Sequence, residues 1–475
     1  MSASPRITRR SLLLAGVPAS LLQAGCAAGR SAITPRQVEL AAAPAQVFLR
    51  GSAQPPVAAW SYGGSVPGPE IRVRQGERLR VVVHNRLAQG TTVHWHGVRV
   101  PNAMDGVPHL TQPPIEPGAR FVYEFDVPDA GTYWYHSHLH SAEQLERGLY
   151  GAFIVQEPQP LEVDRDLTWV LDDWRLTREG RLNESFNDPH DVAHAGRLGN
   201  VVTVNGSFPR DLALRRGERV RLRLINAANA RIFSLQFDGH RPRVVAIDGQ
   251  PVMPHEPAGG RVTLAPAMRY DLVLDAIGEP GKSYAVGDVF NPRAAYDLLQ
   301  LAYGPTVLRE QFLEAPVALA PNALPEPDID SALRHEIRFE GGMMGRMHQA
   351  LLNGKPLNMM GLLRQGKAWA VNGVVADGHD MKPMLSLQRG RSYVLALHND
   401  TRWHHPMHLH GHSFRVIRRN GQPTRYREWQ DTVLMDPQER VDIVFVADNP
   451  GDWMFHCHIL EHQDGGMMSV VRVSA

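Results

Sequence analysis

Gln75-Gly76-Glu77-Arg78-Leu79-Arg80-Val81-Val82-Val83-His84-Asn85 reads as a glycine turn followed by an alternating strand, and the chain writes this pattern three times. The second copy is Arg216-Gly217-Glu218-Arg219-Val220-Arg221-Leu222-Arg223-Leu224-Ile225-Asn226 and the third is Arg389-Gly390-Arg391-Ser392-Tyr393-Val394-Leu395-Ala396-Leu397-His398-Asn399. Aligned on their asparagines, the copies differ informatively. Nine residues after Asn85 and Asn399 stand His94 and His408, but nine after Asn226 stands Leu235. Two residues further on are His96, His410 and Phe237. The ends of the units repeat as well. Gly131-Thr132-Tyr133-Trp134-Tyr135-His136-Ser137-His138 aligns with Gly451-Asp452-Trp453-Met454-Phe455-His456-Cys457-His458. The middle copy, Gly281-Lys282-Ser283-Tyr284-Ala285-Val286-Gly287-Asp288, has no histidine. One β-unit is used three times, and only the outer units carry histidine pairs.

Around these repeats the chain consists of short Val-, Leu-, Ile- and Arg-rich alternating segments separated by Gly, Pro, Asn and Asp. Continuous helical periodicity is scarce. The expectation is an all-β protein of three consecutive β-sandwich domains, at residues 35–158, 159–308 and 334–475. The stretch 309–333, rich in Ala, Pro, Glu and Asp, reads as a linker.

Composition narrows the function. The 475 residues carry 50 Lys plus Arg against 49 Asp plus Glu, so net charge gives no reason to expect nucleic-acid binding. Two cysteines exclude a disulfide scaffold. Twenty-three histidines and 16 methionines point to a metal site.

Residues 1–34 read as an export signal. Thr8-Arg9-Arg10-Ser11-Leu12-Leu13-Leu14 places twin arginines before a short apolar stretch, as in signals that export folded proteins by the twin-arginine route. That stretch is too short to span a membrane, and no other segment is long and apolar enough. Gln23-Ala24-Gly25-Cys26 leaves two readings open: acylation of Cys26 as a lipoprotein anchor, or plain signal cleavage nearby. The expected location is periplasmic. Either reading leaves Cys457 as the one free thiol of the mature chain.

In a strand, residues i and i+2 point to the same side, so each His-x-His presents two imidazoles to one point. There are four such pairs, His94/His96, His136/His138, His408/His410 and His456/His458. One pair alone is weak evidence. Four at equivalent places in repeated units are metal ligands, because eight neutral imidazoles buried together without metal would leave many lone pairs unsatisfied. The third unit adds His405, Cys457, His462 and Met467. Two histidines, a thiolate and an axial methionine are the ligand set of a blue copper centre. The first unit has Thr91 and Ser137 where the third has His405 and Cys457, so only one such centre is expected.

Together His94-Trp95-His96-Gly97, His136-Ser137-His138, His405-Pro406-Met407-His408-Leu409-His410-Gly411 and His456-Cys457-His458-Ile459-Leu460-Glu461-His462 with Met467 resemble the multicopper oxidases, most of all the three-domain bacterial laccases and metallo-oxidases. The resemblance covers nearly all of the mature chain. It implies cupredoxin-like Greek-key domains, four copper ions and reduction of dioxygen to water at a trinuclear cluster between the first and last domains. It assigns His405, Cys457, His462 and Met467 to the type 1 copper and His94 and His408 to type 2. His96, His136, His138, His410, His456 and His458 fall to the type 3 pair. Cys457, flanked by His456 and His458, would link the type 1 copper to the cluster. Asp105, in Met104-Asp105-Gly106-Val107-Pro108, matches an acidic residue the family places near the cluster and is expected to serve proton transfer; the plain alternative is a turn aspartate. One departure stands out. Relatives often carry a glutamate just after the second type 1 histidine, and here that position is Gln463, which cannot act as an acid. Glu461, Asp464 or water would then carry protons. His404, His412, His140 and His109 are read as supporting or surface groups.

The donor is less legible. Seven methionines, Met343, Met344, Met347, Met359, Met360, Met381 and Met384, cluster in the third unit. The first five surround an expected short helix. Thioethers suit Cu(I) and also fill core gaps. The first property makes a cuprous oxidase serving copper homeostasis; the second leaves a laccase-like oxidase of phenols and aromatic amines. A non-catalytic structural or electron-transfer protein of this fold is the alternative, and it predicts missing ligands where none is missing. A complete site in one chain makes a monomer sufficient.

Overall fold

The computed structural model describes residues 35–314, 317–378 and 382–475. The twin-arginine segment with Cys26, and Met381, lie outside these residues. Each copy of the opening repeat forms an inner strand of a sheet: Arg78–Asn85, Arg219–Asn226 and Ser392–Asn399. Each pairs in parallel with the strand that opens its unit, Arg36–Val47, Arg165–Trp174 or Leu333–Gly341. Each also pairs antiparallel with a later strand, Arg120–Asp126, Arg269–Asp275 or Arg440–Val446. Six sheets result among the described residues, and every sheet draws its strands from one of three stretches, 36–156, 165–307 or 333–474. Each stretch contributes two sheets packed over one apolar core, built around Val81 and Phe153, Leu222 and Leu235, and Leu395 and Phe455. The chain is all-β, as the alternation predicts.

The asparagine that closes each repeat is what the three copies share physically. Asn85 donates its side-chain amide to the carbonyls of Gln89 and Ile115 and accepts from Leu87 N–H. Asn226 does the same with Arg231, Leu264 and Ala228, and Asn399 with Trp403, Asp436 and Thr401. Each is at most 1% exposed, so a buried amide holds the loop that follows and thereby sets where the next strand begins. In the outer units that next strand carries the histidines.

The second sheet of each outer unit aligns the pairs. His94 lies opposite His136, and His408 opposite His456. In the middle unit Leu235 lies opposite Asp288, not Val286. The match made on Gly281 is therefore two residues out of step: the middle strand runs Ser283–Asp288 and begins two residues after Gly281, whereas its counterpart begins at Gly131 itself. The strand Arg219–Asn226 is buried along its whole length. Its outward arginines lie against carboxylates, Arg221 on Glu157 and Asp271 and Arg223 on Asp166. The stretch expected as a linker is a strap. Asn322 exchanges hydrogen bonds with both backbone groups of Ala130 and donates to Gln250 Oε1. No helix among the described residues is long and apolar enough to cross a membrane.

Candidate metal centre

All eight paired histidines converge, and each is at most 4% exposed. Their nitrogens form overlapping triads, His94/His408/His410, His94/His96/His136 and His138/His410/His456, with ligand atoms within 4.8 Å of one another. Rings stack across the junction of the outer domains, His96 on His408 at 3.7 Å and His94 on His410 at 4.0 Å between centroids.

Hydrogen bonds on the outer side of six of the eight rings fix the tautomer. His94 Nδ1 donates to the Asp105 carbonyl and His408 Nδ1 to the Asp431 carbonyl, each at 2.8 Å. His136 and His456 donate Nδ1 to the carbonyls of Ser137 and Cys457 at 2.9 and 2.8 Å. His410 Nδ1 donates to Asp105 Oδ2 at 2.9 Å, and His96 Nε2 to Asp431 Oδ1 at 3.2 Å. The inner nitrogens are left without partners: Nε2 of His94, His136, His138, His408 and His458, and Nδ1 of His96. His410 Nε2 and His456 Nε2 face each other at 3.0 Å. Buried lone pairs of this kind are stable only if something accepts them, and a metal does.

Asp105 and Asp431 are related as the outer domains are. Each accepts from a histidine of its own domain through its carbonyl and from one of the other domain through its carboxylate. They differ in what lies behind them. Asp105 Oδ1 has no hydrogen-bond partner. Asp431 is held by Arg269 of the middle domain. Gly106, with φ +81°, follows Asp105 because any Cβ there would lie 1.8 Å from the Val93 carbonyl oxygen, beside His94.

A second site lies where the strand Gly451–Cys457 ends. Cys457 Sγ is 3.5 Å from His405 Nδ1 and 3.7 Å from His462 Nδ1, and the two nitrogens are 3.1 Å apart. A triangle with these edges has its centre about 2 Å from each atom, close to metal–imidazole and metal–thiolate bond lengths. The outer nitrogens are again engaged, His405 Nε2 with Thr401 Oγ1 at 2.8 Å and His462 Nε2 with the His194 carbonyl at 2.7 Å. The short helix Leu460–Asp464 carries His462 back toward Cys457. Met467 packs in the same core as Cys457, and its carbonyl accepts from Cys457 N–H at 3.0 Å. Trp369 covers the site, with its ring 4.3 Å from that of His462.

Ionisation fits metal binding. Burial, reinforced by neighbouring imidazoles, holds His96, His136, His138, His410, His456 and His458 well below the ordinary histidine value. Burial takes His462 down to about 3. These rings are neutral and offer lone pairs. Burial pushes the Cys457 thiol up, so a bound cation is what would keep it a thiolate. Soft sulfur with imidazoles in one site, and imidazoles alone in the other, suits copper.

Eleven of the residues singled out as ligands bring their side chains to these two places, Met467 lies beside the second through its carbonyl and the shared core, and Asp105 lies against the larger. The methionines scatter. Met343, Met344 and Met360 are exposed at 40%, 67% and 61%, whereas Met359 and Met347 pack against apolar cores. Sequence reasoning missed Asp431, Arg269, Thr401 and His194, because none belongs to a metal motif. The one signal was Gly97, an unexplained glycine directly after a ligand.

Multicopper oxidase family descriptions match residues 47–160, 165–299 and 355–475. A multicopper oxidase of Mycobacterium tuberculosis, MmcO, is 29% identical over 97% of this chain and 96% of its own length. Copper resistance protein A of Escherichia coli is 26% identical, with 87% of this chain and 89% of that protein covered. The crystal structure of a multi-copper oxidase from Pseudomonas thermotolerans superposes with a TM-score of 0.81 at 34% identity, covering 93% of this chain and all of that one. Three cupredoxin-like domains, a buried histidine cluster and a Cys-His site carried on one chain agree with these likenesses, and the chain belongs to the multicopper oxidase family, copper-dependent oxidoreductases that oxidise a reducing substrate with dioxygen.

Proposed function

We propose that the chain holds four copper ions. His405, Cys457, His462 and Met467 hold one type 1 ion, His94 and His408 one type 2 ion, and His96, His136, His138, His410, His456 and His458 a type 3 pair. The domains are residues 35–158, 159–308 and 334–475, joined through 309–333. The observation that carries this reading is the set of inward ring nitrogens without partners, those of His94, His96, His136 and His408 on rings locked by a hydrogen bond on the outer side. Copper bound there supplies one-electron chemistry beside the sulfur and multi-electron reduction of dioxygen at the histidine cluster.

The chain's own residues do the rest. Cys457 joins the two sites covalently through His456 and His458. His462 is fully buried, and its outer nitrogen is taken by the His194 carbonyl, so a donor meets the segment around His194 rather than the ring itself. Beside that segment is a pocket of about 460 Å³, lined by Phe290, Tyr296, Trp403, His404 and Ile459 among others. Its aromatic walls suit phenols and aromatic amines. Met343 lies on the other flank, its N–H on the Ala193 carbonyl and its carbonyl on Trp403 Nε1. Cuprous ions are the second donor class, with Met343, Met344, Met347, Met359 and Met360 as the candidate soft ligands. Exposure favours Met343, Met344 and Met360 for capture.

Asp105 Oδ1, unpartnered between His94 and His410, is the atom that would hold a proton for oxygen reduction. Gln463 and Asp464 line a pocket of about 250 Å³ that reaches His138, while Glu461 is tied to Arg197 N–H and Asn229. Of the two acidic neighbours of Gln463, Asp464 is therefore the one that opens on the pocket beside the cluster and would relay protons. All groups come from one chain, which supports action as a monomer. The twin arginines, and Cys26 if acylated, support export to the periplasm, free or lipid-anchored.

Oxygen uptake by the copper-loaded mature protein, with Cu(I) and a phenol as parallel donors, tests the reading. Faster turnover of Cu(I), lost when Met343, Met344 and Met360 become Leu, assigns a copper-detoxifying role. A faster phenol reaction with no effect of those changes assigns a laccase. No uptake with either donor at full copper content would remove the oxidase reading.

A further inference from the structure

Arg269 belongs to the domain without histidine pairs, yet it is fully buried at the edge of the cluster. Its guanidinium grips Asp431 with both ends, Nη1 to Oδ1 at 2.9 Å and Nη2 to Oδ2 at 2.5 Å. Two of the three remaining N–H groups are used as well: Nε donates to the Thr132 carbonyl at 3.3 Å, on the strand that carries His136, and Nη1 to the Ala267 carbonyl at 3.1 Å. Asp431 presents Oδ1 to His96 Nε2 and its carbonyl to His408 Nδ1. Asp248, also of the middle domain, accepts from the backbone N–H groups of Asp431 and Thr432 at 3.1 Å each and from Arg269 N–H at 3.0 Å. The loop behind two ligand histidines is thus held from the middle domain at both backbone and side chain.

A separate observation comes from Gly97. It has φ +81°, and a Cβ there would lie 2.3 Å from Arg269 Nη2 and 2.5 Å from Asp431 Oδ2. The glycine after His96 is where the ion pair passes. Its counterpart after His410, Gly411, faces the Trp453 ring instead. The two His-x-His-Gly motifs are alike in sequence, but only the first makes room for a charge pair. Nor does Asp105, the counterpart of Asp431, have an arginine behind it. The clamp is one-sided, on the His96/His408 half.

We propose that Arg269 is a positioning residue for the cluster: by fixing Asp431 in one orientation it sets the rings of His96 and His408 so that their free nitrogens face the metal. The bidentate fork is suited to this, because it fixes the carboxylate plane and not only its charge. The middle domain, which lacks His pairs, then has a direct part in the geometry of the oxygen-reducing site. This inference rests on the copper assignment above.

The test uses Arg269→Met, which keeps length and loses the fork, Arg269→Lys, and Gly97→Ala, which crowds the pair from the other side. Wild-type protein showing both a type 1 absorption and a type 2 electron paramagnetic resonance signal secures the copper assignment first; absence of the type 2 signal there would remove that assignment, and the inference with it. For the variants, the type 1 absorption and the anaerobic rate at which a donor bleaches it are expected to stay within twofold of wild type. The type 2 spectrum is expected to shift or lose intensity, and reoxidation of the fully reduced protein by oxygen to slow at least tenfold in Arg269→Met and Gly97→Ala, with Arg269→Lys intermediate. If Arg269→Met does not fold, Gly97→Ala and Arg269→Lys give the same readouts. A lowered melting temperature with an unchanged type 2 spectrum and unchanged reoxidation would show that Arg269 is only a strut between domains, and would overturn the proposal.

Discussion

At the scale of single residues the two sites need different things from their neighbours. Cys457 needs a cation, because burial alone leaves it a neutral thiol. Cys457→Ser replaces a soft ligand by a hard, weakly acidic one of similar size. The expected result is loss of the type 1 absorption and of donor oxidation, while the histidine cluster keeps its copper; metal analysis and electron paramagnetic resonance check it. If the variant also lost the cluster copper, the two sites would be coupled in assembly rather than separate. Asp105 has an oxygen to spare. Asp105→Asn keeps the acceptor for His410 Nδ1 if the amide oxygen faces that ring, and removes the acid. Reoxidation of the reduced protein by oxygen should slow about a hundredfold, within the usual range for losing a proton-transfer group, with copper content and type 1 absorption retained. An unaltered rate at every pH would reduce Asp105 to a positioning group like Asp431.

At the scale of elements the repeated asparagine is the part of the pattern that does structural work, and this can be separated from copper binding because the middle domain has an asparagine and no His pair. Asn226→Ala removes three buried hydrogen bonds, to Arg231, Leu264 and Ala228. At about 1 kcal/mol each, with two carbonyls left buried, the cost is about 3 kcal/mol or more. Thermal unfolding should move down while the type 1 absorption of folded protein is unchanged; a loss of colour without a loss of stability would contradict this division of labour. The repeat also explains what was legible in the sequence. Strand spacing of two makes His-x-His visible, and threefold repetition makes its absence from the middle unit visible. The two-residue offset of the strand Ser283–Asp288 was not legible, because register is set by pairing with the neighbouring strand and leaves no residue-type signature. Asp431, Arg269 and the His194 carbonyl were not legible for another reason. They reach the sites from other strands or another domain, and a carbonyl has no letter in the sequence. Gly97 alone pointed toward any of them, the pair Asp431 and Arg269.

At the scale of the whole molecule, folding has gathered into one interior nine histidines whose protonation is opposed by burial: His96, His136, His138, His405, His408, His410, His456, His458 and His462. This has a consequence for the copper-free protein. A group whose folded-state pKa lies below its unfolded value binds fewer protons when folded, so its contribution to stability is fully present above the unfolded value of about 6.5 and is lost as pH falls toward the folded one. For His462 the folded value is about 3, so the window runs from about 6.5 down to about 3. Nine such groups acting together make the dependence steep at its upper end. The melting temperature of the copper-free protein should be nearly flat from pH 8 to 7 and fall sharply between about 6.5 and 5. Copper occupies the same lone pairs that protons would take, so the loaded protein should hold its melting temperature further into acid until protons displace the metal. Calorimetry of both forms across this range decides the matter. A copper-free protein with a flat profile down to pH 5 would mean that the rings turn out to water when the metal is absent, and that copper assembles the cluster rather than entering one already built.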